Sequence, residues 1–409
     1  MRFSDLKRTK EETTAPEPRK PARPAPARPE PAKAETLAAP RPLPAPPPAV
    51  PEPPPVPAPA PAPEPVRQYS SGSHKSRREA NALSREPALP FKELDAQARE
   101  IYTRIIDQSG AFLKGVDQPY TEKYEAVLAA CGAVIENLKT PGVLLSYTAY
   151  STGDDYLRAH TANTTILSLA LGLEAGLSDS DLRLLGFCAM AHDIGMTEYS
   201  SLYNRPDRLG EKEFSEMALH AEAGVAKLDR IVDLDYKVKD RAKQIVLQTH
   251  ERADGSGYPD RLSDESIDPL AQYISIADAY EAMTHPRAWR EAINPPEAVK
   301  DLVEKEGRGF NAKAVKALLS AVSIYPPGSL VALSSGEIAR VIRVTKGFLT
   351  KPLVEIALDP EFSEVSPQLL DLYEHPLTSI ERSVSFKEIE SSNPKFAAKL
   401  EMARWWTDW

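Results

Sequence analysis

Thr249–Pro259 reads THERADGSGYP, and it follows a His192-Asp193 pair in a chain that contains only seven histidines. Four of those seven, His160, His192, His220 and His250, fall within 91 consecutive residues, in segments that also carry carboxylates. Imidazoles that converge with carboxylates, leaving one coordination position open, are what a water-activating divalent ion requires. Gly255 and Gly257 break the stretch into a turn, so His250 stands where a helix gives way to a loop. The fold therefore turns on whether helices can bring the other histidines to the same place.

Residues 150–322 read as almost entirely helical. Ser178 with Asp181 three residues on forms a variant capping box ahead of Leu182, Leu184, Leu185 and Cys188, so a helix is predicted to run into Ala191-His192-Asp193 and to end at Gly195. Glu211–Asp229 is a second amphipathic helix, carrying His220. Asp240–Gln248 is a third and delivers His250 at its C-terminal end, and Leu270–Thr284 is a fourth, with Asp278 amid apolar neighbours. Helices that turn His and Asp towards one point are how bundles build metal sites. After Tyr325-Pro326-Pro327-Gly328 the period becomes strand-like, with Leu330–Leu333, Ala339–Val344 and Leu353–Leu358 separated by Ser335-Gly336 and Lys346-Gly347.

The expected fold class is mainly α: a helical bundle with a small antiparallel β C-terminal appendage and a disordered Pro-rich N-terminal tail. Residues 1–90 hold 24 of the 39 prolines, with Ala-Pro alternation from Pro21 to Pro65, and read as an extended tether that could engage protein partners. Residues 91–149 form a helical region in which Tyr124, Val127, Leu128, Cys131, Val134, Ile135 and Leu138 make one apolar face, suited to packing, regulation or homodimerisation. The candidate catalytic domain is 150–322, and 323–409 is the β-rich extension. Its end carries Trp405, Trp406 and Trp409, three of the four tryptophans, expected to dock on the body.

Composition narrows the function. The chain has 409 residues, and 42% hydrophobic content suffices for a sizeable core. The tail carries 15 Lys+Arg against 10 Asp+Glu, which leaves 35 against 49 for the remainder. An acidic body argues against a nucleic-acid polymer as partner. Cys131 and Cys188 lie in apolar helical patterns without partner spacing, no apolar run reaches transmembrane length, and no secretory signal opens the chain, so a cytoplasmic location is expected.

His160, His192, Asp193 and Asp278 would supply one metal set, and His220 and His250 would complete a second, with Asp193 able to bridge two ions through its two oxygens. Paired ions of this kind activate water for in-line attack on phosphorus, so the constellation points to a metal-dependent phosphohydrolase. His192 and Asp193, adjacent at the helix end, are the candidate catalytic pair.

In these motifs the sequence resembles the HD-GYP family of the HD phosphohydrolase superfamily. The resemblance rests on His160, AHDIG (Ala191–Gly195), MALHAEAG (Met217–Gly224), THERADGSGYP (Thr249–Pro259) and ISIADAYEAMTHPRAWREA (Ile274–Ala292), and it covers about residues 150–322. It implies a bundle of the HD-domain type and hydrolysis of cyclic di-GMP to pGpG, in some members to GMP, in bacterial signalling. It also implies two divalent ions, iron or manganese, on His160, His192, Asp193, His220, His250 and Asp278. Arg287 and Arg290 match basic positions that the family uses near substrate phosphate, where a guanidinium can chelate in a bidentate fashion. Tyr258 is expected beside the substrate, shaping the loop, and Glu251 and Asp254 are expected to support that loop or His250.

Two positions depart from the family's pattern. Thr249 stands where a first histidine usually precedes His250, which takes one nitrogen from the second metal set. Met196 stands where Lys usually follows HDIG, which removes a positive charge. The alternative to an active phosphodiesterase is therefore a weakly active or inactive cyclic-dinucleotide receptor or scaffold.

Overall fold

The computed structural model describes residues 91–406 apart from 116, 117, 119–122, 141, 153–155, 288, 289, 305–307 and 404. The expected Pro-rich tail and Trp409 lie outside the described residues. Contacts divide the chain into Met1–Ser73 and His74–Trp409, and the described residues belong to the second unit.

Helix α4, Tyr156–Glu174, is the axis of the bundle. Fifteen of its residues are buried, from Leu157 to Gly172, so it has no solvent face, the signature of a helix surrounded by others. Its end is set by Gly176, whose φ of +72° suits glycine, with the Leu177 N–H returning to the Gly172 carbonyl at 3.0 Å as in a Schellman closure. Around α4 pack α1 (Phe91–Gly115), α2 (Tyr124–Leu138), α5 (Asp179–Ala191), α10 (Pro269–Thr284) and α12 (Ala312–Val322). The short α3 (Leu144–Tyr147) lies beside α1. The buried faces of α1 and α2, among them Tyr102, Ile105, Phe112, Val127 and Val134, belong to the same core as Ile166, Leu185, Ile245 and Ile274. Residues 91–147 thus pack as part of the bundle.

Caps explain where the helices start. Ser178 accepts from the Asp181 N–H at the head of α5, as expected. Asp235 does so for Tyr236–Gln248 (α9), and Asp268 followed by Pro269 for α10. The third predicted helix therefore begins four residues earlier than the periodicity alone suggested. Two other expectations need correction. The helix before His192 ends at Ala191, and Gly195 sits inside a following 3₁₀ turn, Ile194–Glu198, rather than ending the helix. Glu211–Asp229 is two helices, α7 (Glu211–Ala218) and α8 (His220–Leu228), because the chain tightens at Leu219. One further short helix, α6, covers Ser200–Tyr203, and α11 covers Pro295–Glu304.

The C-terminal part is a five-stranded antiparallel sheet in the order β5-β4-β3-β2-β6. Its strands are β2 (Leu330–Leu333), β3 (Ile338–Thr345), β4 (Phe348–Leu358), β5 (Glu364–Asp371) and β6 (Ile380–Ser383). The first three were expected, and the two edge strands were not. Period-two alternation sends Val331, Ala339 and Val341, with Val354, to one small core. Ala332 and Ile338 go to another, joined by Leu358 after a register shift in β4 past Ile356 and closed by Ile389 and Ala397 of helices α13 (Phe386–Ser392) and α14 (Pro394–Ala403). Gly336 and Gly347, at φ +98° and +80°, make the β2–β3 and β3–β4 hairpin turns. A two-residue parallel ladder joins β1 (Ser151–Thr152) to β7 (Trp405–Trp406), bringing the backbone of the C-terminal end beside the entry to α4.

Candidate metal centre

Six side chains from five segments meet in the bundle. α4 brings His160 in its first turn, and the junction after α5 brings His192 and Asp193. His220 opens α8, His250 follows α9 by two residues, and Asp278 lies within α10. All are nearly or fully buried. They form two donor groups, His160 with His192 and Asp278, and Asp193 with His220 and His250.

Asp193 faces both groups. Its Oδ2 lies 3.4 Å from His160 Nε2 and 3.6 Å from His192 Nε2, and its Oδ1 lies 3.3 Å from Nε2 of both His220 and His250. Asp278 Oδ1 stands 3.2 Å from His160 Nε2, and Asp278 Oδ2 3.8 Å from His250 Nδ1. The close placement of His220 depends on Gly195. A Cβ there would fall 2.0 Å from the His220 carbonyl oxygen and 2.6 Å from the Gly224 nitrogen. Gly257 plays the same part for His250, since a Cβ would lie 2.5 Å from the His250 carbonyl oxygen.

The ring orientations are fixed from behind. His192 Nδ1 donates to the Ala189 carbonyl and His220 Nδ1 to the Met217 carbonyl, each at 2.8 Å. His160 Nδ1 donates to Glu281 Oε2 at 2.5 Å. With those nitrogens carrying the proton, the Nε2 lone pairs of His160 and His192 face each other across 3.4 Å, and that of His220 faces His250 Nε2 across 2.8 Å. Lone pairs directed at one another, beside a buried Asp193 Oδ1 that has no hydrogen-bond partner among the described residues, form a cradle for cations. Donors arranged tetrahedrally at about 2.0–2.1 Å from an ion stand about 3.4 Å apart, and most pairs here lie at 3.2–3.6 Å, with the His220 and His250 nitrogens closer. The residues fit divalent metal.

The field agrees. Burial opposes charge on His160, yet the carboxylates of Glu281, Asp193 and Asp278 outweigh it and raise its pKa well above the ordinary imidazole value, so without metal a proton holds the Nε2 position that a bound cation would take over. Burial likewise opposes ionisation of Asp193 and Asp278. The surrounding imidazoles hold Asp193 well below the usual carboxylate range and take Asp278 down to about 2. Both aspartates are thus ionised and favour any cation among these donors.

Residues 151–313 match the family model described as HD domain, and residues 330–392 match that of a KOW domain associated with HD domain. That region is therefore similar to the HD domain family. It is similar to cyclic di-GMP phosphodiesterase PA4108 of Pseudomonas aeruginosa, 32% identical over 258 residues, which are 63% of this chain and 61% of that protein. It is also similar to cyclic di-GMP phosphodiesterase PdeB of Borreliella burgdorferi, at 28% identity over 49% of this chain and 52% of that one. A third relative is 3'3'-cGAMP-specific phosphodiesterase 2 of Vibrio cholerae, 29% identical over 39% of this chain and 30% of that one. The chain thus spans less than two thirds of the length of these relatives. Among the described residues no helix is long and apolar enough to cross a membrane.

The other residues singled out in the sequence of residues 151–313 divide by what they touch. Arg287 lies with its guanidinium 3.9 Å from the centre of the Tyr156 ring, and Tyr156 stacks on His160 at 5.3 Å. Burial, with Arg290 nearby, lowers the Arg287 pKa to about 9. Arg290 instead donates to the Met283 and Ala282 carbonyls, capping α10. Tyr258 stacks on His250 at 5.1 Å and meets His220 edge-on. Glu251 accepts from the Asp260 and Leu262 N–H groups at 2.7 and 2.9 Å, and Asp254 from that of Ser256 at 3.0 Å, so both fasten the loop. The Thr249 hydroxyl donates to the Val246 carbonyl at 2.9 Å, and Met196 sits in an apolar cluster with Leu113 and Leu157.

Sequence reasoning missed two residues beside these donor groups. Glu281 follows Asp278 by one helical turn, and that i, i+3 spacing was a readable signal. Tyr156 precedes His160 by four, and its buried hydroxyl has no hydrogen-bond partner among the described residues.

Proposed function

We propose that the chain is a metal-dependent phosphodiesterase that opens cyclic di-GMP to the linear dinucleotide pGpG, using two divalent ions, iron or manganese. The observation that carries this reading is Asp193, one carboxylate whose two oxygens address two separate sets of imidazole nitrogens. Bound ions would supply an activated water and offset phosphate charge. The chain's own residues do the rest. His160, His192 and Asp278 hold one side, and His220 and His250 the other, with their rings fixed by the bonds behind them. Arg287 offers the phosphates a guanidinium, and the Tyr156 hydroxyl beside it can donate to the same anion. Arg290 supports that corner through the end of α10. Tyr258 packs the wall next to His250. The named activities of the relatives support a cyclic dinucleotide as substrate class.

The full chain, loaded with manganese and given cyclic di-GMP and 3'3'-cGAMP in parallel, should release pGpG from the first, read by chromatography. Asp193→Ala should abolish it. Metal-replete protein that yields no product from either nucleotide would refute the enzymatic reading.

A second reading, a receptor that binds the nucleotide without turnover, is favoured by Thr249 and Met196. One spends its hydroxyl on its own helix, and the other fills an apolar cluster. It predicts binding without product. Should Thr249→His with Met196→Lys leave a nucleotide-binding chain inactive, those two positions are not what limits it.

A further inference from the structure

A buried polar chain runs from the first helix of the bundle to the metal centre. The Tyr102 hydroxyl, on α1, donates to Asn163 Oδ1 on α4 at 3.0 Å. Asn163 Nδ2 donates to the Tyr150 carbonyl at 3.0 Å and to Glu281 Oε1 at 3.3 Å. Glu281 Oε2 receives the His160 Nδ1 proton at 2.5 Å. His285 closes the group: its Nδ1 lies 2.9 Å from the Glu281 carbonyl oxygen and 3.3 Å from Glu281 Oε1, and its Nε2 stands 3.5 Å from Asn163 Nδ2. Tyr102, Asn163, Glu281 and His160 are all buried, so none of these bonds competes with bulk water.

We propose that Tyr102, acting through Asn163 and Glu281, is a positioning residue for His160, so that the helix preceding the HD domain sets the affinity of the first donor group for metal. The inference rests on the metal-dependent reading above. Glu281 fixes which nitrogen of His160 carries the proton and where the ring points, the role carboxylates play behind metal-ligating histidines. A carboxylate so deeply buried needs its second oxygen held, and the Asn163 amide does this. The amide in turn has a choice of orientation. The Tyr150 carbonyl and the Glu281 carboxylate, which can only accept, turn Nδ2 towards themselves, and the Tyr102 hydroxyl completes that orientation by donating to the Oδ1 left on the other side. A longer contact of the same hydroxyl, 3.4 Å to the Tyr150 carbonyl, keeps that strand entry against the relay.

The test is manganese titration of the full chain by calorimetry, with metal per chain counted after desalting. Glu281→Gln should weaken one class of site by about 10- to 100-fold, the usual effect of losing such a partner. Tyr102→Phe should weaken the same class several-fold. The double variant should be no weaker than Glu281→Gln alone, because both act on one path. Tyr147→Phe is the control: it removes a neighbouring hydroxyl, bonded to Asp95 at 2.9 Å and outside the relay, and should bind manganese as wild type does. Melting midpoints of the two phenylalanine variants should match. Wild-type affinity in folded Tyr102→Phe, or additive losses in the double variant, would overturn the proposal. A wild-type chain that takes up no manganese would instead overturn the metal reading itself, and this inference with it.

Discussion

Gly195→Ala tests the geometry of the second donor group through a single methyl. That methyl would sit 2.0 Å from the His220 carbonyl oxygen and 2.6 Å from the Gly224 nitrogen. Real Cβ contacts do not fall under 3.0 Å, and both obstructing atoms are backbone, so helix α8 must retreat by at least about 1 Å. His220 Nε2 stands only 3.3 Å from Asp193 Oδ1, and a shift of that size takes it out of the ligand shell. A misplacement of about 1 Å costs about 100-fold in rate, and overpacking costs about 1–3 kcal/mol of stability. The variant should therefore lose metal from the Asp193–His220–His250 group, keep it on His160, His192 and Asp278, and turn over at most about a hundredth as fast. Gly224→Ala provides the contrast. Its methyl would meet Val246 at 3.5 Å, an ordinary contact, on the same helix, so metal content and rate should hold. The assay is metal per chain by mass spectrometry beside initial rates. Wild-type metal content and rate in Gly195→Ala would refute the claim that this glycine sets the position of His220.

The two arginines should separate in experiment. Arg287→Ala should lower kcat/KM by about 10- to 100-fold, the worth of a charge-assisted bond to phosphate at about 1.5–3 kcal/mol, with metal content unchanged. Arg290→Ala should chiefly cost stability, on the order of 1 kcal/mol for a lost helix cap, seen as a lower melting midpoint, and a wild-type midpoint would contradict the capping role. Stripping the metal with EDTA should also lower the midpoint. An ion held at a hundred times its Kd contributes about 2.7 kcal/mol, several degrees for a domain of this size, and excess manganese should restore it. A midpoint indifferent to EDTA in protein shown to carry metal would contradict a structural contribution from the ions.

How much was legible in the sequence follows from what each kind of residue has to do. The candidate ligands stood out because metal coordination admits few residue types and histidine is scarce in this chain. The helices carrying them showed in apolar spacing and in caps such as Ser178. Position along a helix was less legible. The apolar pattern runs on through Leu219, where the chain in fact tightens between α7 and α8, and nothing in periodicity marks that break. The central strands showed their alternation, whereas β5 and β6 are the two edges of the sheet. β5 carries Pro367 and exposes most of its side chains, which an edge tolerates and a pattern search passes over. Gly195 was read as a helix stop, but its reason lies in a second segment pressing against it, and a contact of that kind has no local signature. Glu281 is the sharpest case. A residue that binds metal is recognisable by its type, but a residue that aims a ligand is an ordinary Glu, Asn or Tyr. The spacing of Glu281 one turn from Asp278 hints at a shared face, but only the packing of α1, α4 and α10 shows that Glu281 aims His160 and that Tyr102 stands behind it.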